Sequence, residues 1–106
     1  MMVLINKNSM FKIISVFARL HIYSGERMLQ RPIYSNYRPL FDFPTAKTKL
    51  SGRIILKGPE NLPPGSTALV EICFVKGIIS DEFFKPGQKF KISEGMGYDL
   101  GEGEIM

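Results

Sequence analysis

The chain has no tryptophan, a single cysteine (Cys73) and a single histidine (His21). A disulfide within the chain is therefore impossible, which fits a reducing, cytoplasmic setting. The soft and imidazole ligands of a tetrahedral zinc site are missing, and no metal or cofactor is expected. No G-x-S-x-G elbow occurs; Ser24-Gly25 and Ser35-Asn36 are turn chemistry. A Cys73–His21 nucleophile pair is conceivable, but Cys73 falls mid-strand between apolar residues, where a buried, inert thiol is the expectation. An enzyme is hard to build from this set, and no small-molecule substrate is expected. No apolar run approaches the roughly 18 residues of a membrane span. Lys12, Arg19 and His21 interrupt the apolar stretch Met10–Tyr23, against a signal peptide with its unbroken core of about 7–15 residues. Neither an amphipathic helix of about 11 residues nor a long internal repeat is present.

What is present is an ordinary globular composition. The chain has 106 residues, of which 44% are apolar, enough for one domain with a core. Residues 1–10 read as a short lead or a first strand fragment, and residues 11–106 as a single domain. Met10 and Met28 could serve as alternative starts. The net charge is +4, unevenly spread. Residues 1–58 hold ten Lys and Arg against Glu26 and Asp42, whereas residues 59–106 hold four Lys against eight acids. A basic first half could attract phosphate or acidic protein surfaces. Alternatively, the two halves face each other and partly neutralise.

Alternating apolar residues mark the strands. In Phe11–Tyr23, Ile14, Val16, Ala18, Leu20 and Ile22 share one face. Tyr37–Phe43 places Phe41 and Phe43 together; Pro39 and Pro44 bracket it, so it starts late or lies at an edge. Leu50–Lys57 sets Ile54 and Leu56 opposite Ile55. Residues 58–65 read as a loop ending in a Pro-Gly turn. Thr67–Val75 alternates Ala68, Val70, Ile72 and Phe74 against Thr67, Leu69, Glu71, Cys73 and Val75. Ile78-Ile79 suggests a short strand. Pro86-Gly87 is a turn before Phe90 and Ile92, and a glycine-rich bend leads to a closing strand. About six short strands argue for a small antiparallel barrel or sandwich. A closed barrel is preferred because closure removes exposed edges.

Two constellations suggest ligands. Gly95, Gly97, Gly101 and Gly103 suggest a phosphate cradle, but no helix follows them, and Glu94, Asp99, Glu102 and Glu104 would repel phosphate. A bend between strands is expected, with positive φ at glycine and a solvated acidic rim rather than a calcium loop. Arg31, Arg38, Lys47, Lys49, Arg53 and Lys57, interleaved with Tyr34, Tyr37, Phe41 and Phe43, would suit nucleic acid, because cations meet phosphates and aromatics stack on unpaired bases. The competing reading makes Phe41 and Phe43 core residues and the cations a solvated face.

The order of the pieces adds a resemblance. Gly25-Glu26-Arg27, Tyr37-Arg38-Pro39-Leu40-Phe41-Asp42-Phe43, Ser51-Gly52, Pro64-Gly65, Phe90-Lys91-Ile92-Ser93-Glu94-Gly95 and Gly101-Glu102-Gly103 together resemble the C-terminal β-barrel, domain three, of translation elongation factor Tu. The likeness covers about Phe11 to Met106. It implies a six-stranded antiparallel closed barrel without the GTPase domain. In that family the barrel packs on the GTPase domain, contacts the T-stem backbone of aminoacyl-tRNA and meets the nucleotide-exchange factor. The family's tRNA-contact positions fall here on Arg38, Ser51, Glu94 and Gly95. Met28 stands where the family has histidine, Leu40 where it has glutamine, and Ser93 where it has arginine; each change removes a polar or cationic contact. The resemblance implies a non-catalytic module for a translation-associated RNA or protein, with tRNA or a GTPase as partner. The alternatives are a protein-assembly module without RNA binding and a diverged remnant.

Overall fold

In the computed structural model, the described residues are 2–4, 12–26, 28–46, 48–76 and 84–106. They form nine strands: β1 (Met2–Leu4), β2 (Lys12–Ile22), β3 (Ile33–Tyr34), β4 (Leu40–Asp42), β5 (Leu50–Leu56), β6 (Asn61–Leu62), β7 (Thr67–Lys76), β8 (Lys89–Ser93) and β9 (Gly101–Ile105). Six of them close a ring in the order β2-β7-β5-β4-β8-β9, with β9 pairing back onto β2. Every pairing is antiparallel. The expected closed six-stranded antiparallel barrel is the observed fold, and it contains no α-helix among the described residues. No helix there is long and apolar enough to cross a membrane.

The length of β2 makes closure possible. One edge pairs with β7 from Lys12↔Lys76 to His21↔Thr67. The other edge is shared: β9 takes Ala18 to Ile22, and β1 takes Lys12 to Ile14. Met2–Leu4, inside the expected lead, is therefore a strand against the barrel.

Alternation sends one face of each strand inward. Ala18, Leu20, Ile22, Ile54, Val70, Ile72 and Ile92 are fully buried. Phe41, Phe43, Phe74 and Phe90 fill the centre, with ring centroids 5.0 Å apart for Phe41–Phe74 and 5.4 Å for Phe41–Phe90. Such edge and tilted contacts suit the ring quadrupole better than face-to-face stacking. The large rings require small partners across the ladder. Phe74 pairs with Gly52, and Phe90 with Gly103. A Cβ on Gly103 would sit 2.4 Å from Phe90 Cζ and 2.7 Å from the Arg19 carbonyl oxygen.

Several expectations are corrected. Gly95 and Gly97 do take positive φ, at 81° and 89°. Gly101 and Gly103 instead lie within β9, and Gly103 is required by close packing rather than by a bend. The strand β4 starts late, at Leu40, but it is no edge: it runs between β5 and β8. The 58–65 loop contains β6, which pairs with β3 as a two-stranded ribbon and buries Ile33 and Leu62 against the core. Cys73 faces outward and is partly exposed, not buried, because it belongs to the opposite face of β7 from Ile72 and Phe74. The strand proposed at Ile78-Ile79 lies outside the described residues, as do Phe11, Arg27 and Lys47.

Candidate nucleic-acid interface

The four family-matched positions meet around Leu40. In β4, Leu40 points outward, since Phe41 beside it is fully buried. It pairs with Ser51 on one side and Ser93 on the other. Past the end of β8 the chain turns through Glu94 and Gly95; a Cβ on Gly95 would lie 3.7 Å from Leu40 Cδ1, an ordinary contact. Arg38 precedes Leu40 on a segment held to β5 by the Tyr37↔Ile54 bridge and by Gly52 N–H donating to the Pro39 carbonyl at 3.4 Å. Arg38, Ser51, Glu94 and Gly95 are all exposed. Three segments far apart in sequence thus reach one outward strip because β4 lies between β5 and β8.

Of the positions that depart from the elongation factor Tu pattern, Leu40 and Ser93 lie in this strip. Ser93 is only 2% exposed, and its hydroxyl has no hydrogen-bond partner among the described residues. Met28 is half-buried against the core cluster. Neither offers a polar group to a ligand.

Tyr37 connects this strip to a cleft. Its hydroxyl donates to Glu94 Oε2 at 2.7 Å. Burial, and then this bond to a carboxylate, push the phenol well above its usual range, while Arg31 nearby works against the shift. The phenol is a fixed, neutral donor. Tyr34, Ser35, Asn36 and Tyr37 form a turn closed by Tyr37 N–H to the Tyr34 carbonyl at 3.2 Å. Asn36 at its third position has φ 80°, the value a type II turn needs and one asparagine tolerates. The turn is anchored on β5: Asn36 N–H donates to the Ile54 carbonyl at 2.7 Å, Leu56 N–H to Ser35 Oγ at 2.9 Å, and Arg53 Nη1 to Asn36 Oδ1 at 3.3 Å. Beside it lies an open cleft of about 240 Å³ lined by Leu29, Arg31, Pro32, Tyr34 and Tyr37 among others.

The proposed cation–aromatic constellation is divided by the fold. Phe41 and Phe43 are fully buried core rings, so they cannot stack on a base. Lys57 is engaged by Glu71 at 3.5 Å. Arg31, Arg38 and Arg53 make no salt bridge among the described residues, and Tyr34 is 56% exposed.

The acidic rim is also divided. Glu94 accepts from Tyr37, while Glu102 faces a different side, accepting from Tyr23 Oη at 2.6 Å. Lys91 Nζ donates to that same hydroxyl at 3.2 Å. Among the described residues no three His, Cys, Asp or Glu lie close enough to hold a metal ion. His21 Nδ1 is bonded to Thr67 Oγ1 at 2.8 Å. Cys73 stands opposite Ser15, and the strand from Thr67 to Cys73 covers about 20 Å, so His21 and Cys73 are not brought together.

The Tyr23–Glu102–Lys91 network was not apparent from sequence. Alternation assigns these side chains to outward faces but does not reveal that β8, β9 and β2 are neighbours. No protein-family model matches the chain, and neither does any curated protein.

Proposed function

We propose that this chain is a non-catalytic binding module related to the C-terminal barrel of elongation factor Tu, acting in the cytoplasm, and that it binds the backbone of a structured RNA of the translation apparatus. The observation that carries this reading is the convergence of Arg38, Ser51, Glu94 and Gly95 around Leu40, beside Arg31 and Arg53, with no salt bridge to any of the three arginines among the described residues. Exposed arginine supplies phosphate attraction. Ser51 offers a hydroxyl, and the backbone at Gly95 is less shielded because glycine carries no side chain of its own, with only Leu40 packed beside it. The loss of family contacts at Met28, Leu40 and Ser93 predicts weaker binding than the parent barrel would have. Fluorescence anisotropy with labelled tRNA tests it. Binding at low salt should weaken steeply as salt rises, and Arg38→Ala should reduce the salt slope by about one. No anisotropy change at low salt rejects the RNA reading.

A second reading rests on a separate observation. On the outer face of β2 and β7, Phe17, Leu69 and Val75 are 48%, 46% and 46% exposed. Phe17 and Leu69 are diagonal neighbours, and Met106, bonded to the Phe17 carbonyl at 2.9 Å, extends the strip. An apolar strip of this kind suits a protein partner, such as a separate GTPase-bearing chain. Sedimentation of the chain alone and with candidate factors tests this: a strict monomer that captures none of them argues against it.

A further inference from the structure

We propose that the cleft beside the Tyr34–Tyr37 turn is a pocket for one unpaired base of the bound RNA, with Tyr34 as the stacking platform and Arg31 on the adjoining phosphate. This rests on the RNA reading above and adds a preference for a duplex joined to single strand.

Three observations support it. First, the walls have the right chemistry. Tyr34 is largely exposed, and its backbone is held in β3 and at the start of a closed turn, so its ring is offered from a fixed position. Leu29, Pro32 and Tyr37 add flat or apolar surface, and the open cleft is about 240 Å³. Base–aromatic stacking needs such a platform and tolerates any base. Second, the lining residues carry charge of one sign, and the Glu94 carboxylate beyond them is held by the Tyr37 hydroxyl. Arg31 lines the cleft, Arg53 is bonded to Asn36 in its wall, and no carboxylate is among the lining residues. A proline-rich peptide would also fit an aromatic groove, but it would leave these cations unused. Third, the cleft is continuous with the Leu40 strip through Tyr37, which lines the one and bonds Glu94 of the other. An RNA whose backbone crosses the strip has its next, unpaired nucleotide beside Tyr34.

The test uses the full chain, a blunt RNA hairpin, the same hairpin with a short single-stranded adenosine tail, and the tail alone. One tail base is a fluorescent adenine analogue. Tyr34→Ala, Tyr34→Phe and Arg31→Ala are compared with wild type. The exposure of Tyr34 means that truncation leaves the core intact. The tail should tighten hairpin binding about tenfold, and the analogue's fluorescence should be quenched by stacking. Tyr34→Ala should abolish both effects and Tyr34→Phe should keep both. Arg31→Ala should weaken tailed binding and lower its salt slope. A hairpin that binds equally with and without the tail overturns the pocket while leaving the backbone reading standing. A tail gain that survives Tyr34→Ala also overturns it. Tyr34-dependent binding of the tail alone, with no hairpin binding, supports the pocket and removes the duplex-backbone reading instead.

Discussion

Outward-facing cations are treated in two ways on this barrel. Across β8, β9 and β2 they alternate with acids: Lys89 pairs with Glu104 and Glu104 with Arg19; Lys91 pairs with Glu102 and Glu102 with His21. A cleft of about 330 Å³ there is lined by both signs together. Beside the Tyr34–Tyr37 turn, Arg53 stands opposite Cys73 rather than an acid; among the described residues neither the lattice cations nor Arg31, Arg38 and Arg53 make a salt bridge, so the difference is one of cross-strand register. Cross-strand opposite charges stabilise the sheet modestly, whereas unpaired cations leave their field available to a ligand. The first surface lies where the barrel closes, and the second is the one proposed above for binding. Most of the lattice is neutralisation within residues 59–106, Lys89 and Lys91 standing against Glu104 and Glu102, while the salt bridge between the two halves among the described residues, Lys57–Glu71, lies on β5 and β7.

Mutations should separate the two surfaces. The largest effect belongs to Gly103→Ala beneath the charge lattice. The added methyl meets Phe90 Cζ at 2.4 Å and the Arg19 carbonyl at 2.7 Å, one of them backbone. Overpacking of this kind should cost about 2 kcal/mol or more, read as a lower urea midpoint. RNA affinity per folded molecule should hardly change; a matching loss of affinity would show that the two surfaces are not independent. Arg38→Glu should do the reverse. Affinity should fall at least about tenfold, as a phosphate contact turns repulsive, with stability within about 0.5 kcal/mol of wild type. Lys89→Glu makes the same charge change on the lattice. If it weakens RNA binding as much as Arg38→Glu does, the effect is one of net charge and the comparison collapses.

How much of this was legible in sequence depends on the range of the interaction. Period-two alternation marked β2, β5, β7 and β8, and placed Ile54, Val70, Ile72 and Phe90 inside. It failed at Asn61–Leu62, because a two-residue strand has no period. It set Cys73 on the face opposite Ile72 and Phe74, but the apolar neighbours gave the expectation of a buried thiol, which the partly exposed outer face of β7 overturns. Gly103 looked like a bend because only the fold brings Phe90 against it. The candidate site is a product of register. Arg38, Ser51, Glu94 and Gly95 could be named by resemblance, but their meeting at Leu40 depends on which strands flank β4. Phe41 and Tyr37 seemed alike as stacking candidates; the barrel buries the first and leaves the second at a cleft.

Tyr37→Phe examines the joint between strip and cleft. It removes the donor to Glu94, and the loss should be about 1 kcal/mol. Wild type should also lose this stabilisation at high pH. The folded phenol titrates above the unfolded value of 10.0 because it is buried and bonded to Glu94. Its contribution is complete below that value and is lost as pH rises beyond it. Tyr37→Phe should flatten the stability profile above about pH 10; an unchanged slope would mean that Tyr37 is not the group responsible.

The smallest effect sharpens the lattice side. The bond from Tyr23, and then the nearby Lys91, hold the Glu102 carboxyl below its usual 4.5. A lowered folded pKa contributes stability that is present above the unfolded value and is lost as pH falls through the folded one. The decline should therefore appear below about pH 4.5 and stay under about 1 kcal/mol, because the group is exposed and screened. Glu102→Gln keeps the shape and can still accept from Tyr23, but it removes the titration. Denaturant midpoints from neutral pH to below pH 4 should converge for wild type and variant at the acid end. They should also converge in high salt at neutral pH, which screens a lattice of exposed charges more than it weakens a direct hydrogen bond. A wild-type advantage that persists in salt would place the stabilisation in the Tyr23 hydrogen bond alone, and the charge columns on this side would then contribute no more to closure than the unpaired arginines opposite.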